Sequence, residues 1–406
     1  MTESIPARNH GSWPGHTHFS AARTCGELIV VGGQVDLDVE GRVEHPGDLS
    51  AQVTACTRHA RAALQAAGGR PEQVVKVVVY CVADSTEAVE TVEQQVIEGL
   101  AAPTPPVITL VPVPWMALPD VLASVEITAS TRVDPDHPPA ATSPDAHHPT
   151  VGSQVVRAGR FIFTSAQMTV AADGSVEHAG DIVSQSRGTM DRIAALLAEY
   201  GASLDDAVKL NIYYVGEGTY EDWEVAAKIR AGYFNEPGPI ATGVPVPALE
   251  RPGLLIKMEV WAMLGEDGSR LPRQHVWPDN HWDWAIHLPY KHGLRCEEMF
   301  FIGGQIATDP EGTVLEPANT EAQTRQCLTY IERVIDLLDG VEPKHIAKTT
   351  TFYKGEADSA VHALNAGMRN DWFAAGAPVT SDVALPALAF EDMMIEIEVM
   401  GARDER

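Results

Sequence analysis

Basic residues are scarce in this chain: 29 Lys+Arg stand against 56 Asp+Glu in 406 residues, a formal charge of −27. A field of that sign repels phosphate backbones and anionic membranes, and no local basic patch offsets it. Neither nucleic acid nor a membrane is therefore an expected partner. Long apolar runs are missing as well. No stretch approaches the roughly 20 residues of a spanning helix. The N-terminal MTESIPARNHGSWPG has neither the basic nor the apolar region of a secretion signal. The five cysteines are too few and too scattered for a disulfide framework. A cytoplasmic protein is the expectation. Also absent are a phosphate loop, a dinucleotide fingerprint, a nucleophile elbow, and HExxH or CxxC spacings, so no cofactor and no metal are expected. What remains is ordinary globular material, 45% hydrophobic and 21% charged. At roughly 100–200 residues per domain, the length predicts two to four domains.

Internal repetition is the strongest positive signal. LIVVGGQVDLDVEGRVEHPGDLSAQ (28–52) recurs as FIFTSAQMTVAADGSVEHAGDIVSQ (161–185) and as MFFIGGQIATDPEGTVLEPANTEAQ (299–323), without a gap. Three later strand-like runs align at Lys76, Lys209 and Lys348, and each copy closes on a run of the type LASVEITAS, LIKMEVWAM or MIEIEVMGA. The copies are assigned to residues 1–133, 150–265 and 286–406. Residues 134–149, with five prolines, read as an extended linker. Residues 266–285 form a second joint carrying Trp277, Trp282 and Trp284, aromatics that suit packing against a domain.

Within a copy, an apolar β-rich run is followed by a Gly-bearing turn (Glu40-Gly41, Asp173-Gly174, Glu311-Gly312) and a short strand, which is a hairpin pattern. A helix follows, marked in copy two by Met190, Ile193, Leu196 and Leu197. Then come a strand, a second helix that in copy one follows Asp84-Ser85 with Val89, Val92, Val96 and Leu100 on one side, and two closing strands. The order β-β-α-β-α-β-β predicts an α+β unit with helices on one face of a mixed sheet.

The GQ-containing strand, the DG or EG turn, GDxxxQ opening a helix, the VVKVxVY run and the closing P-x-x-[ST]…LP…IEIE resemble the reactive-intermediate deaminase (RidA, or YjgF-like) family, three times over. The resemblance implies chorismate-mutase-like units that trimerise, with active sites in the clefts between them. Three fused copies then imply an intramolecular pseudo-trimer with three non-identical clefts; whether such bodies self-associate further is open. It also implies hydrolysis of enamine or imine acids to keto acids and ammonia, with an Arg in P-x-R-[ST] gripping the substrate carboxylate. This chain departs from that pattern. Its tetrapeptides PVIT, PIAT and PVTS put Ile108, Ala241 and Thr380 at the Arg position. Losing a two-pronged guanidinium grip disfavours an ordinary 2-imino-acid deaminase unless another cation substitutes.

Two residues beyond the missing Arg stand Leu110, Gly243 and Asp382. The first Glu of IEIE maps to Ser124, Lys257 and Glu396, and a family aromatic maps to Phe19, Gly152 and Tyr290. Copy three keeps the most polar set, Tyr290, Thr380, Asp382 and Glu396. Placed in one cleft, its two carboxylates would divide acid and base roles. The plainer reading makes Asp382 a turn cap and Glu396 a solvated strand residue. Lys257 is a candidate base or replacement cation, or else an edge-strand lysine. Phe19, Ser124, Thr380 and Tyr290 are candidate substrate contacts. The His/Trp joint suits a wall over a planar or apolar ligand. An HxH pair, His16 and His18, is read as surface histidine, and the cysteines as packing. The expected activity is cofactor-independent acid–base chemistry on a small neutral or cyclic metabolite: hydrolysis, elimination, tautomerisation or cyclisation. Two further readings stay open, a non-catalytic ligand-binding or scaffold protein and, against the charge, a nuclease.

Overall fold

Three six-stranded sheets, each built from one copy, carry the fold. In the computed structural model of the chain, residues 4–6, 19–134, 137–142, 151–171, 173–357, 359–373 and 377–403 are described; His16 and His18 lie outside them. The first unit comprises β1 (Ser4–Pro6), β2 (Ser20–Cys25), β3 (Leu28–Gln34), α1 (Leu49–Ala66), β4 (Val74–Cys81), α2 (Thr86–Leu100), β5 (Val107–Pro112) and β6 (Ala123–Ser130). The second comprises β7 (Ala140–Thr142), β8 (Val155–Ala158), β9 (Phe161–Thr164), α3 (Ile182–Glu199), β10 (Ala207–Val215), α4 (Tyr220–Ala231), β11 (Ile240–Val246) and β12 (Ile256–Met263). The third comprises β13 (Arg273–Val276), β14 (Gly293–Cys296), β15 (Met299–Ile306), α5 (Thr320–Leu337), β16 (Ile346–Lys354), α6 (Ser359–Trp372), β17 (Val379–Leu385) and β18 (Ile395–Ala402). The sheet order is β1-β2-β3-β6-β4-β5 and its equivalents, with one parallel pair per sheet: β4–β5, β10–β11 and β16–β17.

The hairpin is not where the Gly-bearing turns suggest. Those turns close only isolated bridges, Leu37 to Val43, Val170 to Val176 and Thr308 to Val314. Instead β3, β9 and β15 pair backward with the strand before them, through the two-residue loops Gly26-Glu27, Gly159-Arg160 and Glu297-Glu298. Gly26, Gly159 and Glu297 take positive φ there, the backbone a tight two-residue hairpin needs. The joints also differ from spacers. Residues 140–142 and 273–276 are β7 and β13, edge strands of the sheets that follow.

GDxxxQ has a structural meaning. Asp48, Asp181 and Asn319 cap α1, α3 and α5 by accepting first-turn amides. The Gln four residues later is buried and staples the closing turn: Gln52 donates to the carbonyls of His45 and Asp120 and accepts from the Leu122 amide, and Gln185 and Gln323 repeat the pattern. The expected apolar stripes of α2 and α3 face the sheets. Among the described residues no helix is long and apolar enough to cross a membrane.

Helices cover one face of each sheet, and the opposite faces meet around a pseudo-threefold axis. Two apolar layers there draw on all three units. One holds Leu28, Phe161 and Met299; the other holds Tyr80, Tyr213 and Phe352. Along the inward face of β4, Val75 joins the first layer and Val78 the second, with Lys76 in the gap. There Lys76 pairs with Glu259 at 2.6 Å, Lys209 with Glu398 and Lys348 with Glu126, so each unit's lysine meets a neighbour's glutamate until the circle closes. Removing both charges of such a pair is often neutral, whereas removing one is costly, so the ring does not by itself measure how strongly the units hold.

Candidate active site

Ladder register fixes which residues are equivalent. Ile108, Ala241 and Thr380 oppose Val77, Leu210 and Thr349, and two residues on Leu110, Gly243 and Asp382 oppose Val79, Ile212 and Thr351. Ser124, Lys257 and Glu396 oppose Tyr80, Tyr213 and Phe352. The two sets meet across units. The fifth strand of one unit faces the Ser124, Lys257 or Glu396 position of the next, producing three seams. Close approach is possible because Gly32 and Gly303 lack a Cβ, which would sit 2.7 Å from the Thr380 oxygen and 2.9 Å from the Ala241 oxygen.

The seam between units one and two is filled. Lys257 is buried, donates to the Leu110 carbonyl and pairs with Glu250 at 2.8 Å. Glu93 sits near them, its carboxyl pushed up to about 8 by burial and by the charge of Glu250. Lys257 is thus neither an unpaired base nor an open cation.

Between units three and one lies a small recess of about 370 Å³, its open side included, lined by Met116, Leu118, Ser124, Thr380 and Asp382 among others. Arg369, from the end of α6, is fully buried here. It donates to Asn365 at 2.8 Å, Thr380 at 3.0 Å and Asp382 at 2.9 Å, while His362 Nε2 lies 2.9 Å from Asp382. Phe19 is buried under the Arg369 guanidinium, 5.5 Å from ring to charge.

The seam between units two and three is open, a cleft of about 570 Å³ counting its mouth. Ile212, Tyr214, Trp223, Arg230, Ala241 and Gly243 contribute from one side, and Gly304, Ile306, Phe390 and Glu396 from the other. The second joint supplies Trp282 and Trp284, and the start of unit three Leu288 and Tyr290, so the expected aromatic wall lies here. Gln305 anchors it: its Oε1 accepts from Trp282 Nε1 at 3.1 Å and lies 2.8 Å from His281 Nε2. Burial drops the pKa of His281 to about 4 and that of His292 well below the usual range, so both imidazoles are neutral at neutral pH.

The four polar residues proposed for copy three therefore do not share a cleft. Tyr290 and Glu396 line the seam with unit two, whereas Thr380 and Asp382 line the seam with unit one, because a unit's fifth and last strands face different neighbours. Glu396 has no second carboxylate of the Asp382 position beside it; Gly243 stands there.

Glu396 is buried, its Oε2 has no hydrogen-bond partner among the described residues, and Gly304 makes room for its Oε1, since a Cβ there would overlap it. Burial, with a smaller contribution from the charge of Glu398, pushes its carboxyl up to about 8, so it holds its proton at neutral pH. Burial raises the Tyr214 and Tyr290 phenols too, against the opposing charge of Arg230, which also offers the Tyr290 hydroxyl a hydrogen bond; the Tyr214 hydroxyl lacks a partner among the described residues. Arg230, at the end of α4, is 4% exposed, and its Nε and Nη1 are likewise unpartnered. The cleft thus collects a cation, two neutral hydroxyls and a neutral carboxylic acid within aromatic walls.

Arg230 and Arg369 are the residues that sequence reasoning missed. Their signal was present: Arg230 in RAGYF and Arg369 in RNDWF stand eleven residues before Ala241 and Thr380, at one repeat position. The cysteines are buried and free, with Cys25 and Cys81 pushed up to about 12 by burial, which suits packing and not a thiolate.

A family model described as Endoribonuclease L-PSP matches three times, over residues 13–131, 142–264 and 284–402. A RutC family protein of Pyrococcus abyssi is 33% identical over 110 residues, 27% of this chain and 84% of that protein. A RutC family protein of Synechocystis sp. is 33% identical over 114 residues, 28% of this chain and 85% of that protein. Among solved structures, a chorismatase covers 82% of this chain and 93% of its own, with a TM-score of 0.54 at 15% identity, a likeness of fold. The YjgF gene product of E. coli is 30% identical and covers 32% of this chain and 99% of its own, with a TM-score of 0.28.

Proposed function

The chain belongs to the Endoribonuclease L-PSP family, three units in tandem, and from that membership we propose that its open seam hydrolyses a carbon–nitrogen bond in a small planar monocarboxylate bearing an imine or enamine. The carrying observation is that the buried guanidinium of Arg230, its Nε and Nη1 without partners among the described residues, lines the same aromatic cleft as a buried, protonated Glu396. Arg230 replaces the cation lost at Ala241 and takes the substrate carboxylate; the expectation of a neutral ligand gives way to an anionic one for that reason. Trp282, Trp284 and Phe390 hold the planar body.

Glu396 transfers its proton to the imine nitrogen or the enamine carbon, forming an iminium. Its carboxylate then accepts a proton from water as the water oxygen bonds to the iminium carbon. Glu396 passes that proton to the carbinolamine nitrogen and takes one from its hydroxyl as the carbon–nitrogen bond breaks, leaving a carbonyl, releasing ammonia or an amine and restoring the acid. Tyr214 and Tyr290 keep their protons and donate hydrogen bonds to the oxygen that develops. An acid with a pKa near ambient pH is well matched to both halves of this cycle. A chorismatase shares the fold across most of the chain, which favours a catalytic reading over a scaffold.

The test is carbonyl release from a panel of cyclic imine and aryl enamine carboxylates. Glu396→Gln should lower kcat by roughly 10²–10⁴-fold, the usual range for a general acid. Full turnover in that variant, or carboxylate binding with no turnover across the panel, would overturn the proposal.

A further inference from the structure

Each seam holds a buried cation, and in two of the three the chain supplies the anion itself. Lys257 is paired with Glu250, and Arg369 with Asp382. Comparing the two arginines position by position explains the exception. Arg369 is held by Asn365, Thr380 and Asp382. The repeat puts Ala226, Ala241 and Gly243 at those three positions around Arg230, so none of the three groups that hold Arg369 has a counterpart there. The wall changes with it: His362, beside Asp382, corresponds to Trp223, which lines the open cleft.

We infer that Asp382 is an internal plug: in the seam between units three and one its carboxylate occupies the seat that a ligand carboxylate takes at Arg230 in the seam between units two and three. The chain then has one anion-binding seam and one latent seam closed by its own side chain, and the residue at the Gly243/Asp382 position decides which is which. This rests on the anion-binding role given to Arg230 above. The plug fits the geometry. Asp382 takes one bond from Arg369 and one from Thr380, the two-point contact a free carboxylate would make, and it does so in a recess already walled by Met116 and Leu118.

The experiment is benzoate binding to the full chain by calorimetry, with benzamide as the uncharged control and thermal melts to confirm folding. The wild-type chain should bind one equivalent, Asp382→Gly two, Arg230→Met none, and the Arg230→Met/Asp382→Gly double variant one. If the double variant binds none while wild type binds one, the plug is refuted and the role of Arg230 stands. If wild type binds none while Asp382→Gly binds one, the role of Arg230 is refuted and the plug stands. Asp382→Ala, which also vacates the seat, asks the same question should the glycine variant fail to fold. Gly243→Asp asks it in reverse: a folded variant should lose benzoate, and retained binding at wild-type affinity would overturn the inference.

Discussion

Replacing Glu396 by glutamine tests the electrostatics of the cleft without reference to any substrate. The carboxyl has an ordinary value of 4.5 and stands at about 8 in the fold. Between those values the folded chain keeps a proton that the unfolded chain has lost, so stability falls as pH rises, by about 1.4 kcal/mol per unit. Over the whole interval the penalty reaches about 5 kcal/mol, most of it from burying the charge and the rest from the charge of Glu398. The glutamine variant, which has no proton to lose there, would carry none of it. Every other titrating group is common to both chains and cancels in the difference. The unfolding free energy of Glu396→Gln relative to wild type should therefore rise steadily from about pH 5 to about pH 8 and level off above, measured by urea unfolding of both proteins at matched pH. The same proton governs the chemistry: kcat of the wild type should decline above about pH 8 as the acid is lost. A stability difference that stays flat with pH would mean that Glu396 titrates like an exposed carboxylate, and the proposed acid would lose its basis.

Arg230→Met removes a charge-assisted contact worth about 1.5–3 kcal/mol, so KM for a carboxylate substrate should rise about 10- to 150-fold with kcat less affected; equal effects on a carboxylate and its amide would refute the grip. Gly304→Ala drives a methyl into Glu396 Oε1 and should cost about 1–3 kcal/mol and most of the turnover, read from unfolding curves and initial rates. Lys76→Met strands Glu259 in the axial ring and should destabilise the chain by about 3–5 kcal/mol, whereas Lys76→Met with Glu259→Leu should recover most of the loss in the same unfolding assay.

The repeat made the architecture legible. The α2 and α3 stripes, the position of their caps and the mixed α+β order all follow from short-range chemistry, namely apolar periodicity and the capping power of Ser85 and Asp181. The first hairpin escaped because its loops, Gly26-Glu27, Gly159-Arg160 and Glu297-Glu298, are only two residues long and interrupt what reads as one apolar run, while the conspicuous Gly-bearing turns support only single bridges. Candidate residues were placed at the right ladder positions, but which of them face each other depends on how units seat against one another. Reading copy three as a self-contained set joined Asp382 to Glu396, which line different seams. Arg230 stayed hidden for a related reason: it reaches the cleft from a helix, whereas the positions compared between the copies lie on strands or in joints.

The contact between units three and one has no peptide to enforce it, yet it is fully made. Ser20 donates to the Pro378 and Ala377 carbonyls, Arg23 to those of Ile346 and Lys344, and Lys348 reaches Glu126. That boundary shows what the other two would be without their tethers. A chain cleaved once in the Pro-rich stretch should hold together as a nicked complex, and a permuted chain with new ends there should assemble as readily as the original. Covalent connection, in this body, enforces stoichiometry and order while the surfaces themselves do the joining.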